Sequence, residues 1–249
     1  MSGHSKWAQT KHKKAAVDAR RGKVFGKALR AIEVAAREGG GNPEANPTLA
    51  DAITRARAAS VPTDTISRAI KRGTGELEGT AYENLVYEGY APGGVAVLVE
   101  VLTDNRNRAA ADVRRIFARH GGTFGEPGSV SWMFSRRGVL LIPKEAVAEE
   151  EVLSVALQEG AEDVKEEGDM WELSCPPTDL EGLRRGVEAA GLPVESARLV
   201  MAPSATIPLD APVALGVLRL VDELEESDDV QEVFANFDVP DEVMTEAAG

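Results

Sequence analysis

The sequence is poor in the residues on which catalytic and metal sites most often depend. Its 249 residues include one cysteine, Cys175, and three histidines, His4, His12 and His120. A single cysteine cannot form an internal disulfide and cannot build a cysteine-based zinc site. No segment matches the HExxH, CxxC or GxSxG motifs or a phosphate-binding loop. The sequence therefore predicts a protein that is not an enzyme and that holds no metal and no cofactor.

Long apolar runs are also missing. No stretch approaches the roughly 18–20 apolar residues that a membrane-spanning helix needs, and no signal-peptide core follows the basic start. A basic N-terminus is also typical of organellar presequences, but here it runs directly into a helical pattern. Hydrophobic residues make up 43% of the chain, which is enough for ordinary buried cores. We therefore expect a folded cytoplasmic protein without a membrane partner.

Acidic residues are scarce at the start of the chain, although the whole chain has a net charge of -13. Residues 1–72 hold 15 of the 28 Lys and Arg but only six of the 41 Asp and Glu, so their net charge is +9 and that of the remainder is -22. Such a split indicates separate domains with separate partners. We expect the basic part to bind a polyanion in a salt-dependent way.

The basic residues of this first part form the candidate nucleic-acid interface. The stretch Gly3–Lys27 sets eight Lys and Arg against one acid, Asp18. Trp7 lies among them, and an aromatic ring in a basic segment can stack on an unpaired base. The alternative is a solvated arm with Trp7 packed into a helical core. The predicted interface residues are Lys6, Trp7, Lys11, His12, Lys13, Lys14, Arg20, Arg21, Lys23, Lys27, Arg30, Arg68, Lys71 and Arg72.

A second candidate site lies where a predicted strand ends and a helix begins, at Leu102–Arg108. Asp104 or Asn105 can cap this helix, and Arg106 and Arg108 then lie in its first turn. Cations at that end oppose the helix dipole, at a cost of about 0.3–1 kcal/mol each. Arginines at a position that the helix dipole disfavours point to a function. Here that function is the binding of a phosphate or an acidic partner by Asn105, Arg106 and Arg108. The alternative is an intramolecular salt bridge to the acidic sheets.

Helical periodicity dominates the first part of the chain. Residues Lys23–Arg37 place apolar side chains on one face and cations on the opposite face, where they can meet solvent or a ligand. Gly22 is predicted to break the helix before this segment. Asn46 is predicted to cap a second helix, and Thr63 or Asp64 a third.

After Gly79 the pattern changes to α+β. Residues 135–205 predict the order β-α-β-β-α-β of a ferredoxin-like unit, and the flanking elements form a second set that the last helix and strand must rejoin. Trp132, on a short predicted strand at 129–134, and Trp171 are both expected in the core. The predicted domains are a helical domain, 1–78; a discontinuous α+β domain, 79–134 with 206–240; an inserted ferredoxin-like α+β domain, 135–205; and an acidic tail, 241–249.

Several long motifs also follow one another in a distinctive order. They are GHSKW at Gly3–Trp7, KHKKAAVDARRGKVF at Lys11–Phe25, GGGNPEANP at Gly39–Pro47, RAIKRGTGE at Arg68–Glu76, YEGYAPGGVA at Tyr87–Ala96, LTDNRNR at Leu102–Arg108 and GSVSWMF at Gly128–Phe134. In these motifs the chain resembles the YebC/PmpR family. The resemblance implies a helical bundle followed by two α+β domains, one inserted in the other.

The resemblance also implies a nucleic acid as the partner. Members of that family are described as transcriptional regulators that bind promoter DNA. Others, including a mitochondrial relative, are described as translation factors that act at the ribosome, notably on proline-rich stretches. No helix-turn-helix with a clear recognition helix is evident, so ribosomal RNA stays open beside promoter DNA. Two further hypotheses are an enzyme and a protein-interaction module, in which the acidic domains carry the function and the basic arm docks on an acidic protein.

Overall fold

A helical region comes first in the computed structural model, which describes residues 19–78 and 81–239, except for the side chains of residues 19–22. Its described helices are α1 (Ala19–Gly39), α2 (Pro47–Ala58) and α3 (Thr63–Gly73). Each helix turns one apolar face toward the others, and these faces meet in a buried cluster that includes Ile32, Leu49 and Ile66. The helical region therefore has a core of its own.

The ends of these helices confirm one predicted cap and correct two other predictions. The Asn46 side chain accepts a hydrogen bond from the Leu49 backbone N–H (3.1 Å), as predicted for a cap. The third helix has no side-chain cap, since Pro62 precedes it, and the predicted caps at Thr63 or Asp64 are wrong. Gly22 lies within α1, so the predicted break is also wrong. A helix tolerates one glycine at a cost of about 1 kcal/mol, which the packing of α1 offsets.

The rest of the chain alternates strands and helices. The elements are β1 (Glu83–Ala91), β2 (Val95–Thr103), α4 (Arg106–Arg119), β3 (Thr123–Phe124), β4 (Phe134–Pro143), α5 (Glu149–Glu159), β5 (Asp163–Glu167), β6 (Met170–Cys175), α6 (Leu180–Ala189), β7 (Ser196–Pro203), β8 (Ile207–Pro208), α7 (Ala211–Glu226), β9 (Val230–Ala235) and β10 (Phe237–Asp238). The predicted α+β class, with an all-α part first, is confirmed.

Eight of these strands form two four-stranded antiparallel sheets, and β8 and β10 form a two-stranded parallel sheet. The first sheet has the order β3-β1-β2-β9, and the second has the order β5-β6-β4-β7. In each sheet two helices cover one face, α4 and α7 on the first and α5 and α6 on the second. The second sheet has the ferredoxin-like strand order. The first sheet has the same arrangement with different connections, because a hairpin joins its two central strands and β9 returns late in the chain.

The two sheets pack against each other through the faces that their helices leave uncovered. Ala96, Leu98 and Phe234 of the first sheet meet Leu141 and Val200 of the second in one buried cluster. Strand alternation explains this arrangement, since neighbouring residues of β2 point to opposite faces and pack into two different clusters. Where one folding unit ends and the next begins stays a prediction.

The segment that connects the sheets differs from its prediction. Residues Ser131–Met133 form a short 3-10 helix in place of the predicted strand at 129–134. Trp132 is 72% exposed, so its predicted place in the core is wrong, whereas Trp171 is buried as predicted. The cause is Glu88, whose carboxylate accepts hydrogen bonds from three backbone N–H groups of this segment at 2.6–2.8 Å and so holds it in a turn.

Candidate nucleic-acid interface

Many of the predicted interface residues lie outside the described part of the chain. This holds for Lys6, Trp7, Lys11, His12, Lys13 and Lys14. Arg20 and Arg21 lie within α1, but their side chains are outside the description. The structure places the remaining six predicted side chains, and it separates them into two groups by what they contact.

The first group consists of cations of α1 that face the protein. Lys23, Lys27 and Arg30 follow one another at i, i+4 and i+7, a spacing that puts them on one face of the helix. Lys23 contacts the carboxylate of Asp228 (3.5 Å) and the carbonyl of Glu226 (3.4 Å). The Lys23 side chain is still 57% exposed, so the predicted orientation toward solvent holds for it, while the protein's own acidic segment also contacts it.

The other two cations of this face contact the same acidic segment, Glu225–Asp229, at the end of α7. The Lys27 ammonium donates to the Glu225 carbonyl, and the Arg30 guanidinium donates to the Asp228 carbonyl (2.8 Å). The carbonyls in the last turn of α7 have no partner within the helix and carry the negative end of its dipole. Cations are stabilised there, which explains why this face of α1 meets the end of α7.

Asp229, the next residue, connects this contact with the second candidate site. Its buried carboxylate accepts hydrogen bonds from the Thr103 hydroxyl (3.0 Å) and the Arg108 guanidinium (2.8 Å), and Arg30 lies 3.4 Å from its other oxygen. Arg108 also pairs with Asp104 (2.8 Å). The hydrogen bonds that Arg108 donates to Asp229 and then to Asp104 raise the pKa of the Arg108 guanidinium.

Of the two explanations for the segment Leu102–Arg108, the intramolecular salt bridge is therefore the one found for Arg108. The side chain of Asn105 caps α4 by accepting from the Arg108 backbone N–H (3.1 Å). Arg106 is exposed and forms no ion pair among the residues described. The structure thus leaves Arg106 as the member of this candidate site whose side chain is open to a ligand.

Arg72 belongs with the paired cations. Its Nε donates to the buried carboxylate of Glu33 (3.0 Å), which Arg37 also approaches (3.4 Å). One buried acid between two arginines fastens the end of α3 to α1. This internal role differs from the predicted contact with a ligand.

The second group consists of exposed cations without an acidic partner. Arg68 and Lys71, both predicted, are exposed on α3 and form no ion pair within the described ranges. Arg57 on α2 has the same character, and the prediction missed it. The helical pattern of α2 could have identified Arg57, because it lies next to the inward-facing Ala56. These three side chains are available to a polyanion.

A cavity brings two of the predicted residues together. Arg30 and Arg72 line a space of about 600 Å³ that Leu29, Glu33 and Tyr82 also line. The Arg30 guanidinium lies 5.8 Å from the centre of the Tyr82 ring, in cation–π geometry. Guanidinium groups and an aromatic ring are the groups that hold a phosphate and stack on an unpaired base.

The described residues also lack two other kinds of site. No cluster of three or more His, Cys, Asp or Glu in residues 19–78 and 81–239 has the arrangement to hold a metal ion. Among those residues, no helix combines the length and apolar character needed to cross a membrane.

Comparison with known proteins places both parts of the chain. The family model of the TACO1/YebC protein N-terminal domain matches residues 5–76, and that of the TACO1/YebC second and third domain matches residues 82–237. A "probable transcriptional regulatory protein" of Rubrobacter xylanophilus is 58% identical over the full length of both chains. A protein of the same name from Thermobifida fusca is 56% identical over 98% of each.

A solved structure is also similar. The crystal structure of the conserved hypothetical protein Aq1575 from Aquifex aeolicus matches 92% of this chain and 94% of its own, with 47% identity and a TM-score of 0.81. Similarity at this level extends to the fold as a whole. The resemblance stated from the sequence motifs is confirmed by these matches.

Proposed function

The chain belongs to the TACO1/YebC family, and we propose that it is a regulatory protein that binds nucleic acid without catalysing a reaction. Its relatives are named as probable transcriptional regulatory proteins, which supports promoter DNA as the target. We also propose that it acts in the cytoplasm and that its acidic sheets bind a protein partner. The observation that carries the proposal is the excess of cations in residues 1–72.

The described surface supports this proposal at Arg57, Arg68 and Lys71. These side chains are exposed and have no acidic partner among the residues described. Each such cation that contacts a phosphate releases counterions, so binding weakens as the salt concentration rises.

The test is fluorescence anisotropy with labelled duplex DNA and single-stranded RNA, in a series from about 50 to 200 mM salt. We expect the variant R57Q/R68Q/K71Q to lower the slope of log affinity against log salt by about three, one for each lost phosphate contact. The matched control is R115Q/R185Q/R219Q, which removes three exposed arginines from the helices α4, α6 and α7. Absence of binding at low salt, or equal loss in both variants, would contradict the proposal.

A second candidate function is that of a translation factor that binds ribosomal RNA. The cavity lined by Arg30, Arg72 and Tyr82 favours it, because stacking on an aromatic ring requires an unpaired base and RNA is read mainly in unpaired segments. We expect Tyr82→Ala to weaken single-stranded RNA binding by about 5- to 150-fold, with Tyr82→Phe as the control that keeps the ring. Equal binding by the two variants would argue against this function.

A further inference from the structure

The junction between the helical region and the first sheet is made of polar contacts. Lys23, Lys27 and Arg30 of α1 meet the end of α7, as described above. On α2, Arg55 pairs with Glu232 of β9. The Asn84 amide donates to Glu38 (3.0 Å), and Arg30 lies over the Tyr82 ring.

Apolar packing does not reinforce this junction. Among the described residues, no buried hydrophobic cluster contains side chains from both the helical region and the sheets. Exposed ion pairs contribute only about 0–1 kcal/mol each and are screened by salt. Lys23 and Asp228 form such a pair, with side chains that are 57% and 62% exposed, whereas Arg30–Asp229 and Arg55–Glu232 are partly buried and are screened less. A junction of this kind permits the two parts to move relative to each other.

The same cations are natural ligands for phosphate. The acidic segment presents carboxylate and carbonyl oxygens to them, and a nucleic-acid backbone presents phosphate oxygens of the same type. One cation cannot serve both fully at the same time. A polyanion that approaches this face of α1 therefore competes with the protein's own acids.

We propose that these contacts form an electrostatic latch that nucleic acid opens. The latch consists of the cations Lys23, Lys27, Arg30 and Arg55 and of the acidic side formed by Glu225–Asp229 and Glu232. When the latch is closed, the protein's own acids occupy cations of the predicted nucleic-acid interface; when it is open, those cations can bind a polyanion. This inference rests on the proposed function, because it describes how that same interface is regulated.

Asp229 explains why the acidic side stays with the sheet when the latch opens. Thr103 and Arg108, both on the sheet side, already hold its carboxylate. Loss of the Arg30 contact thus leaves the buried acid with partners, and the acidic segment keeps its place. Opening then requires only that the helical region moves as a unit with its own core.

Only molecules with an open latch bind nucleic acid fully, so the apparent affinity is the affinity of the open form multiplied by the fraction of molecules that are open. The variant D228N/E232Q removes two exposed or half-buried acids of the latch, and we expect it to bind nucleic acid about two- to thirty-fold more tightly. The control E145Q/E195Q removes two exposed acids elsewhere, so it reports the effect of net charge alone. Equal affinities of these two variants would overturn the latch.

A distance measurement tests the opening directly. Spin labels at Glu44→Cys, in the helical region, and Glu149→Cys, at the start of α5, report the separation of the two parts; both positions are exposed. Native Cys175 does not compete for the label, because it is fully buried and burial raises the pKa of its thiol to about 11.

We expect one narrow distance distribution at low salt, which broadens toward longer distances when a short duplex DNA or a short single-stranded RNA is added. D228N/E232Q should broaden it without nucleic acid. Binding without any change in distance would refute the latch and leave the proposed function intact. If the wild-type protein without spin labels shifts the anisotropy of neither labelled nucleic acid, the proposed function itself fails.

Discussion

The junction between the two sheets and the junction between the helical region and the first sheet are formed by different kinds of contact. The sheets meet through a buried apolar cluster, whereas the helical region meets the first sheet through ion pairs and carbonyl contacts. Apolar burial contributes roughly 25 cal/mol per Å² and is insensitive to salt, but exposed charges contribute little and are screened. We therefore expect the two sheets to move as one body, to which the helical region is attached by a salt-sensitive contact.

The charged residues near the sheet–sheet junction do not contribute to its stability. Glu100 and Glu172 are largely buried there, and burial raises the pKa of each carboxyl. One oxygen of Glu172 has no hydrogen-bond partner in the described structure. Buried acids of this kind cost stability, so apolar packing must hold the junction together.

The largest expected effect comes from a cavity in the sheet–sheet junction. Leu98 is 2% exposed and lies in the shared cluster. We expect Leu98→Ala to lower the free energy of unfolding by about 2–5 kcal/mol, from lost burial and the cavity left behind. Urea unfolding measures it, and Leu157→Ala, at a position 79% exposed, is the control with a change within about 0.5 kcal/mol. Similar losses for both variants would show that this junction is not an apolar core.

The next effect concerns the buried carboxylate that fastens the segment between the sheets. Burial raises the pKa of Glu88, but hydrogen bonds from the Gly128, Val130 and Ser131 N–H groups outweigh it and lower the pKa below the usual value of 4.5. A depressed pKa stabilises the fold above the unfolded-state pKa, and this contribution is lost as the pH falls through the folded-state value. We expect Glu88→Gln to lower the free energy of unfolding by about 1–3 kcal/mol at neutral pH.

The pH dependence makes this prediction sharper. The stability difference between wild type and Glu88→Gln should shrink as the pH falls below about 4.5, because the wild-type carboxyl then becomes protonated. Urea unfolding at several pH values measures it, and Glu126→Gln, at a nearby position, is the control. A difference that stays constant with pH would mean that the Glu88 charge plays no part.

Glu88 also shows where prediction from the sequence ends. Sequence periodicity predicted the element order β-α-β-β-α-β of the second sheet and the return of β9, because each of those elements carries its own periodicity. Periodicity failed at 129–134, where an acid some 40 residues earlier captures the backbone N–H groups. Trp132 is exposed as a result. The sequence pattern of residues 129–134 cannot predict a hydrogen bond to a strand that is distant in the chain.

The partners of the α1 cations could not be predicted for a related reason. Helical periodicity correctly separated the apolar face of α1 from the face with Lys23, Lys27 and Arg30. It could not show what lies opposite the cations, because that is the end of α7, about 200 residues later in the chain. Charge patterns identify a polar face, and only the tertiary structure decides whether its partner is solvent, a ligand or the protein itself.

The smallest expected effect concerns the charged junction between the helical region and the first sheet. Lys23→Gln removes an exposed ion pair with Asp228, and we expect the free energy of unfolding to change by less than about 0.5 kcal/mol. Urea unfolding at low and at high salt measures it, with Leu98→Ala as the contrast; any small loss should vanish at high salt because the pair is already screened there. A salt-independent loss of about 2 kcal/mol would place the charged junction among the contacts that hold the fold together. The two junctions would then no longer differ in kind, and a polyanion could not separate the helical region at an affordable cost in free energy.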